Sequence, residues 1–200
     1  MSALLAVEPL TTERQGLADV AAHAVASNDA SVRFFEAHAD AIAHTCHAMA
    51  ERFQHGGRLL VFGEGVTRSD VAHVVVEFVH PVIVGKRALP AVALPEVGAR
   101  AALETVARRH DILLLLSAHA LSDSATALHV EASARDLLVI VLSGGGDGVC
   151  EHGHERARGE FCFAVPSGDA AVVQEAHEML YHVLWELVHV FLEHREVAHA

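Results

Sequence analysis

Two rhythms divide the chain. Up to about residue 55, apolar residues recur at helical spacing. Leu17, Val20, Ala21 and Val25 follow a capping-box start at Thr12 and Gln15. Phe34, Phe35, Ala39, Ile42, Cys46, Met49, Ala50 and Phe53 make a second stripe, ended by Gly56 and Gly57. The pattern predicts an N-terminal helical pair within 11–55, its second helix covering 31–54. From Arg58 onward, short unbroken apolar runs alternate with helical stretches. The runs are 59–62, 91–94, 112–116, 137–142 and 161–165, each continuous, as expected of strands buried on both faces of a parallel sheet. Helices are expected at 69–78, 97–109 and 122–134, and a long one over 170–194 is amphipathic over its whole length, with Val172, Val173, Ala176, Met179, Leu180, Val183, Leu184, Leu187, Val188, Phe191 and Leu192 as its apolar set. Strand and helix alternating five times imply an α/β fold, a three-layer α/β/α sandwich on a five-stranded parallel sheet with right-handed crossovers. Its core would span 58–166, the helix 170–194 would close it, and no linker or repeat divides the chain, so 1–200 is expected to be one domain.

Composition narrows the class. Of 200 residues, 52% are hydrophobic and 20% charged, too apolar for a disordered chain. Lys and Arg number 14 against 26 Asp and Glu, a formal charge of −12, which argues against nucleic acid as a partner because phosphate affinity comes from Lys and Arg. No apolar run approaches the roughly 20 residues that cross a bilayer, and residues 1–7 lack a basic leader. A soluble cytoplasmic protein with no membrane partner is the expectation. Cys46, Cys150 and Cys162 form no C-x-x-C pair, so they suggest neither a disulfide framework nor a zinc ribbon. Seventeen histidines change the picture more: seventeen protons added to −12 leave +5, so the net charge changes sign across the imidazole range. They are metal ligands, a pH-responsive set or a solvated surface, and composition does not choose among these.

In open parallel sheets, ligands bind where strands end and helices begin. After the first run stand Gly63, Glu64, Gly65, Val66 and Thr67, a G-x-G turn with Arg68 where a dinucleotide fingerprint would need its third glycine. The two glycines either make a tight turn or let backbone approach a ligand. After the third run come Ser117, His119, Ser122 and Ser124, hydroxyls near a helix start that suit a phosphate, although Ser122 is equally an N-cap. The glycine-rich 143–148 leads into Cys150, His152 and His154, either a metal loop or a solvated one. His73 and Glu77 lie four apart on one helix face. Gln174 and His182 lie eight apart on the last helix, about 80° out of phase at about 100° per residue.

In that order and context these residues resemble the sugar isomerase (SIS) domain, and within it the phosphoheptose isomerases. Their domain opens with a strand, a G-N-G-G-S turn and a D-x-x-H-x-x-x-E helix. Here the corresponding residues are 59–62, Gly63 to Thr67, and Asp70, His73 and Glu77. Their last helix carries Q-E-x-H-x-x-x-x-H, matched by Gln174, Glu175, His177 and His182, and the likeness covers essentially the whole chain. The resemblance implies a zinc ion held by His73, Glu77, Gln174 and His182, with Glu77 and His182 also exchanging protons, and a homotetramer or dimer. It implies substrate contacts from Gly63, Glu64, Gly65, Thr67, Ser117, His119, Ser122 and Ser124. The activity implied is aldose–ketose isomerisation of a sugar phosphate of the sedoheptulose 7-phosphate type.

The chain also departs from that pattern. The family's S-T-S-G-N-S phosphate cradle is here Ser117-Ala118-His119-Ala120-Leu121-Ser122, and Glu64 replaces the asparagine of the first turn. Ala171 stands where an acidic residue is expected, with Asp169 nearby. A cradle that lost charge-assisted hydrogen bonds loses about 1.5 to 3 kcal/mol for each. Three functions therefore stay open: a zinc-dependent isomerase, a non-catalytic SIS relative that senses sugar phosphates or binds a protein partner, or metal storage or delivery by the His-rich surface.

Overall fold

A computed structural model describes residues 10–145 and 160–198, with side chains over 16–145 and 160–193. The elements are α1 (Leu10–Gln54), β1 (Leu59–Gly63), α2 (Arg68–Val79), β2 (Ala91–Ala93), α3 (Ala99–Val106), β3 (Ile112–Leu116), α4 (Asp123–Ala134), β4 (Leu138–Gly144), β5 (Glu160–Val165) and α5 (Ala170–Ala198). The five strands form one parallel sheet in the order β2-β1-β3-β4-β5. The strand positions read from the apolar runs agree with this sheet to within two residues at each end.

Because side chains alternate along a strand, each strand feeds both faces. Leu59, Val61, Ile112, Leu114 and Leu116 join α1, α2 and α5 in one core layer. Leu60, Phe62, Leu113 and Leu115 join α3 and α4 in the other. The three-layer sandwich follows from five runs with no polar face to give to water. The exception is β2, which lies at the sheet edge and leaves Val92 41% exposed, so its run was not buried on both faces as its composition implied.

The N-terminal helical pair is corrected by the structure: α1 is one continuous helix of 45 residues, about 67 Å long at 1.5 Å per residue. It begins at Leu10, ahead of the capping box expected at Thr12. Residues 26–31 contain no glycine or proline, and Asn28 and Asp29 weaken a helix only by about 0.7 kcal/mol each. Tertiary contacts hold this stretch: Ser27 Oγ donates to the Glu175 carboxylate at the start of α5, and His23 Nε2 lies 3.2 Å from it. Leu17 and Val20, ahead of that anchor, and Val25 within it are exposed.

Cys46 is a buried free thiol, pushed by burial up to about 12 and so protonated at neutral pH. Cys162 in β5 is disulfide-bonded, where the cysteine spacing had suggested no disulfide. No helix among the described residues is long and apolar enough to cross a membrane.

Candidate functional site

β1 and β3 are neighbours whose following helices pack on opposite faces, α2 on one and α4 on the other. The chain therefore parts at their C-terminal ends and opens a crevice between the two turns. In the first turn, Gly63 has no room for a Cβ, which would stand 2.5 Å from Thr67 Oγ1. That hydroxyl lies 3.0 Å from the Glu64 carbonyl and 3.1 Å from the Leu116 carbonyl, both of which it serves as donor. Thr67, read from sequence as a substrate contact, is thus 1% exposed and spent on tying the first turn to the end of β3.

The second turn is also occupied with itself. Ser117 Oγ donates to the Ala120 carbonyl at 3.0 Å, and Ser122 caps α4 by accepting from Ala125 N at 3.1 Å. The same Ser122 hydroxyl donates across the crevice to Glu64, so the two turns are bridged where the resemblance places a phosphate. His119 is exposed, with its carbonyl accepting from Gly144 N at 3.3 Å. Ser124 is exposed in the first turn of α4. Replacing Ser122 with alanine is expected to lower stability by about 1 kcal/mol through the lost cap, and with glycine by only a few tenths. Denaturant midpoints of the two variants check this.

The second constellation lies where α2 and α5 run side by side. His73 Nε2 is 3.5 Å from Glu77 Oε1, and His182 Nε2 is 3.8 Å from that oxygen. The imidazole rings of His73 and His182 are 5.1 Å apart at 73°. One nitrogen from each histidine and one glutamate oxygen lie within 4.8 Å of one another. A tetrahedral zinc ion with bonds of about 2.0 to 2.2 Å has ligand edges of about 3.3 to 3.6 Å, close to the two edges that meet at Glu77. Two imidazoles and a carboxylate with a fourth position open form a donor set of the catalytic type. None of the three is fully buried, so that fourth position is reachable from solvent.

The surroundings orient the trio. Tyr181 Oη is 3.0 Å from His73 Nδ1, and Glu178 Oε1 is 3.8 Å from the same nitrogen. If Nδ1 carries the proton and donates to Tyr181, the Nε2 lone pair is free to face Glu77 and a metal, the usual outer support of a ligating histidine. Burial pushes the Tyr181 phenol up, with the Glu178, Asp70 and Glu77 charges adding to it, so it stays protonated.

Gln174 is placed differently from its partners. It precedes His182 by eight residues, about 12 Å of helix rise, and its amide nitrogen donates to Asp70 Oδ2 at 3.0 Å and to the Val66 carbonyl at 3.1 Å. The resemblance implied one quartet; the structure brings together His73, Glu77 and His182, and the Gln174 amide nitrogen meets Asp70. Burial raises the Asp70 carboxyl, opposed by the Gln174 hydrogen bond; Glu178 raises it further and His73 lowers it. Asp70, Glu178 and Tyr181 were not among the expected site residues. Their signal was available: Asp70 is one turn before His73, and Glu178 one turn before His182. The loop with Cys150, His152 and His154 lies outside the described residues.

Comparison with known proteins points the same way. No family model matches the chain. It is 28% identical over 168 residues to the phosphoheptose isomerase of Thermodesulfovibrio yellowstonii, covering 78% of this chain and 83% of that protein. It is 28% identical over 180 residues to the phosphoheptose isomerase of Roseiflexus sp., covering 82% and 88%. The solved structure of a phosphoheptose isomerase from Francisella tularensis superposes with a TM-score of 0.75 at 24% identity, over 87% of this chain and 98% of that one, which shows a shared fold.

Proposed function

We propose that this chain, a SIS-fold protein similar to the phosphoheptose isomerases, interconverts the aldose and ketose forms of a sugar phosphate, of the sedoheptulose 7-phosphate type, at the His73, Glu77 and His182 centre. The observation that carries the reading is the convergence of those three side chains from α2 and α5, with both histidines 3.5 and 3.8 Å from one Glu77 oxygen. A zinc ion held there, one per subunit, would polarise the substrate's carbonyl and hydroxyl oxygens. The chain's own groups move the protons. Glu77 takes a proton from the carbon beside the carbonyl and returns it to the former carbonyl carbon. His182, through Nδ1, the ring nitrogen that does not face Glu77, gives a proton to the carbonyl oxygen and takes one from the neighbouring hydroxyl, so the exchange balances. Glu77 has two oxygens for the two purposes: Oε1 faces the imidazoles, and Oε2 would serve as the base. Gln174 completes the set by holding Asp70, and a fourth protein ligand is not required of it.

Self-association into a homotetramer, or a dimer, is part of the same reading. The bare N-terminal half of α1 exposes Leu17 at 67%, Val20 at 69% and Val25 at 59%, surface that a second copy would cover. A cytoplasmic location is consistent with this enzyme class.

One observation favours the alternative, a non-catalytic SIS protein that senses a sugar phosphate or binds a protein partner: the Ser122 to Glu64 bridge fills the crevice where a phosphate would sit. Elemental analysis and turnover separate the two. The isomerase reading expects about one zinc per chain and conversion of sedoheptulose 7-phosphate, with the metal lost in a His73→Ala, His182→Ala double variant. Zinc-free protein that gains none on titration would overturn the centre, and metal without turnover would favour the non-catalytic alternative.

A further inference from the structure

We infer that the chain carries an anion subsite on the β2 side of the first turn, built from Arg68 and the Gly65 backbone N–H and closed in this structure by its own Glu96. Gly65 sits at φ +59, and its N–H donates to Glu96 Oε1 at 3.4 Å. Arg68, the first residue of α2, places Nη1 at 3.3 Å from Glu96 Oε2. One donor thus meets each carboxylate oxygen, as a backbone N–H and a guanidinium receive a bound anion. Beside this contact lies a cleft of about 230 Å³ lined by Gly63, Arg68, Val71, Leu94, Pro95 and Glu96. It has room for the group that an anion would carry.

The glutamate is a weak occupant. The side chains of Arg68 and Glu96 are 68% and 40% exposed, and exposed pairs contribute about 0 to 1 kcal/mol. Glu96 stands between the end of β2 and α3, next to Val97 and to Gly98 at φ +77, a short connection free of regular structure. A phosphate monoester brings up to two charges and three acceptor oxygens against one charge and two, so it competes well for Arg68. On the β3 side of the crevice the Ser122 hydroxyl is committed to Glu64 and to its cap. The ligand class is therefore a phosphomonoester or inorganic phosphate. Its identification as the tail of a sugar phosphate rests on the proposed function, whereas the subsite does not.

Calorimetric titration of the full chain with inorganic phosphate at low ionic strength tests the subsite without metal or turnover. Arg68→Gln is expected to weaken binding about tenfold, the loss of one charge-assisted contact. Glu96→Gln is expected to tighten it several-fold by removing the competitor. Both residues are exposed, and an unchanged thermal midpoint verifies that each variant is folded. An Arg68→Gln protein that binds as the parent does, or a Glu96→Gln protein that binds equally or more weakly, overturns the inference. Tightening by Glu64→Gln with no effect of Arg68→Gln would move the anion to the β3 side and overturn it too. Phosphate binding that follows Arg68 in a protein without isomerase turnover would leave the subsite standing and refute the catalytic reading alone.

Discussion

Glu77→Gln is expected to lower isomerisation by roughly 10² to 10⁴-fold, the range that a positioned proton-transfer group contributes. Glutamine keeps the size of the side chain and an oxygen that can face the imidazoles, 3.5 and 3.8 Å away in the parent. It cannot accept the carbon-bound proton. The loss should fall on kcat, with KM changed much less, because the role proposed for Glu77 is proton transfer in the transition state. Metal content must be measured beside turnover, since a neutral amide is also a weaker ligand than a carboxylate. Activity that remains lost after zinc is restored to parental occupancy identifies proton transfer; activity within threefold of the parent would remove Glu77 from the chemistry.

The second large effect is acid destabilisation through His177. Its side chain is fully buried, Nε2 lies 3.4 Å from the Ser143 carbonyl, and Nδ1 has no hydrogen-bond partner among the described residues. The neutral ring with Nε2–H donating to Ser143 therefore suits the site. A second proton would place a buried cation with an unpaired N–H in the core. Burial accordingly pushes the ring down to about 4, only partly offset by the Ser143 contact. In the unfolded chain the ring titrates near its ordinary 6.5. The folded group's affinity for protons is depressed, so its contribution is complete above about pH 6.5 and is lost as pH falls toward 4.

Between those values the unfolded state binds the extra proton. Stability should then fall by about 1.4 kcal/mol per pH unit, about 3 kcal/mol in all. Asp70 acts in the opposite sense just above the ordinary carboxylate range, because its raised carboxyl makes the folded state bind the extra proton there. Denaturant unfolding of the parent and of His177→Gln at intervals from pH 7.5 to 4.5 isolates the effect. The glutamine retains a donor for Ser143 and does not titrate, so its curve should be flatter by about that slope. Parallel curves would show that His177 is not the group responsible.

How much of this was legible in the chain depends on the range of the interaction. The runs 112–116 and 161–165 announce buried strands because every residue in them is apolar or nearly so, and a parallel sheet covered on both faces tolerates no polar side. His73 and Glu77 were readable as a pair because four residues of helix fix their neighbourhood. The helical pair was misread because a break needs a local cause and none exists. What holds residues 23–27 in a single helix is Glu175, 148 residues from Ser27 along the chain. Gln174 illustrates the same limit: its spacing to His182 described one helix, whereas its partner was Asp70 on another.

The α/β layers, the places of the five strands and the helix faces on which the chemistry stands follow from local periodicity and burial, and so were readable along the chain. Which polar groups meet was settled by packing. It drew His182 to the His73 and Glu77 pair, turned Thr67 inward, set Ser122 on Glu64 and seated Glu96 on Arg68. Those contacts join residues up to 109 positions apart, His182 to His73 being the widest, and their geometry comes from how the helices and turns pack on the sheet. Local periodicity fixes which side of its own element a residue occupies; it contains nothing about what stands opposite.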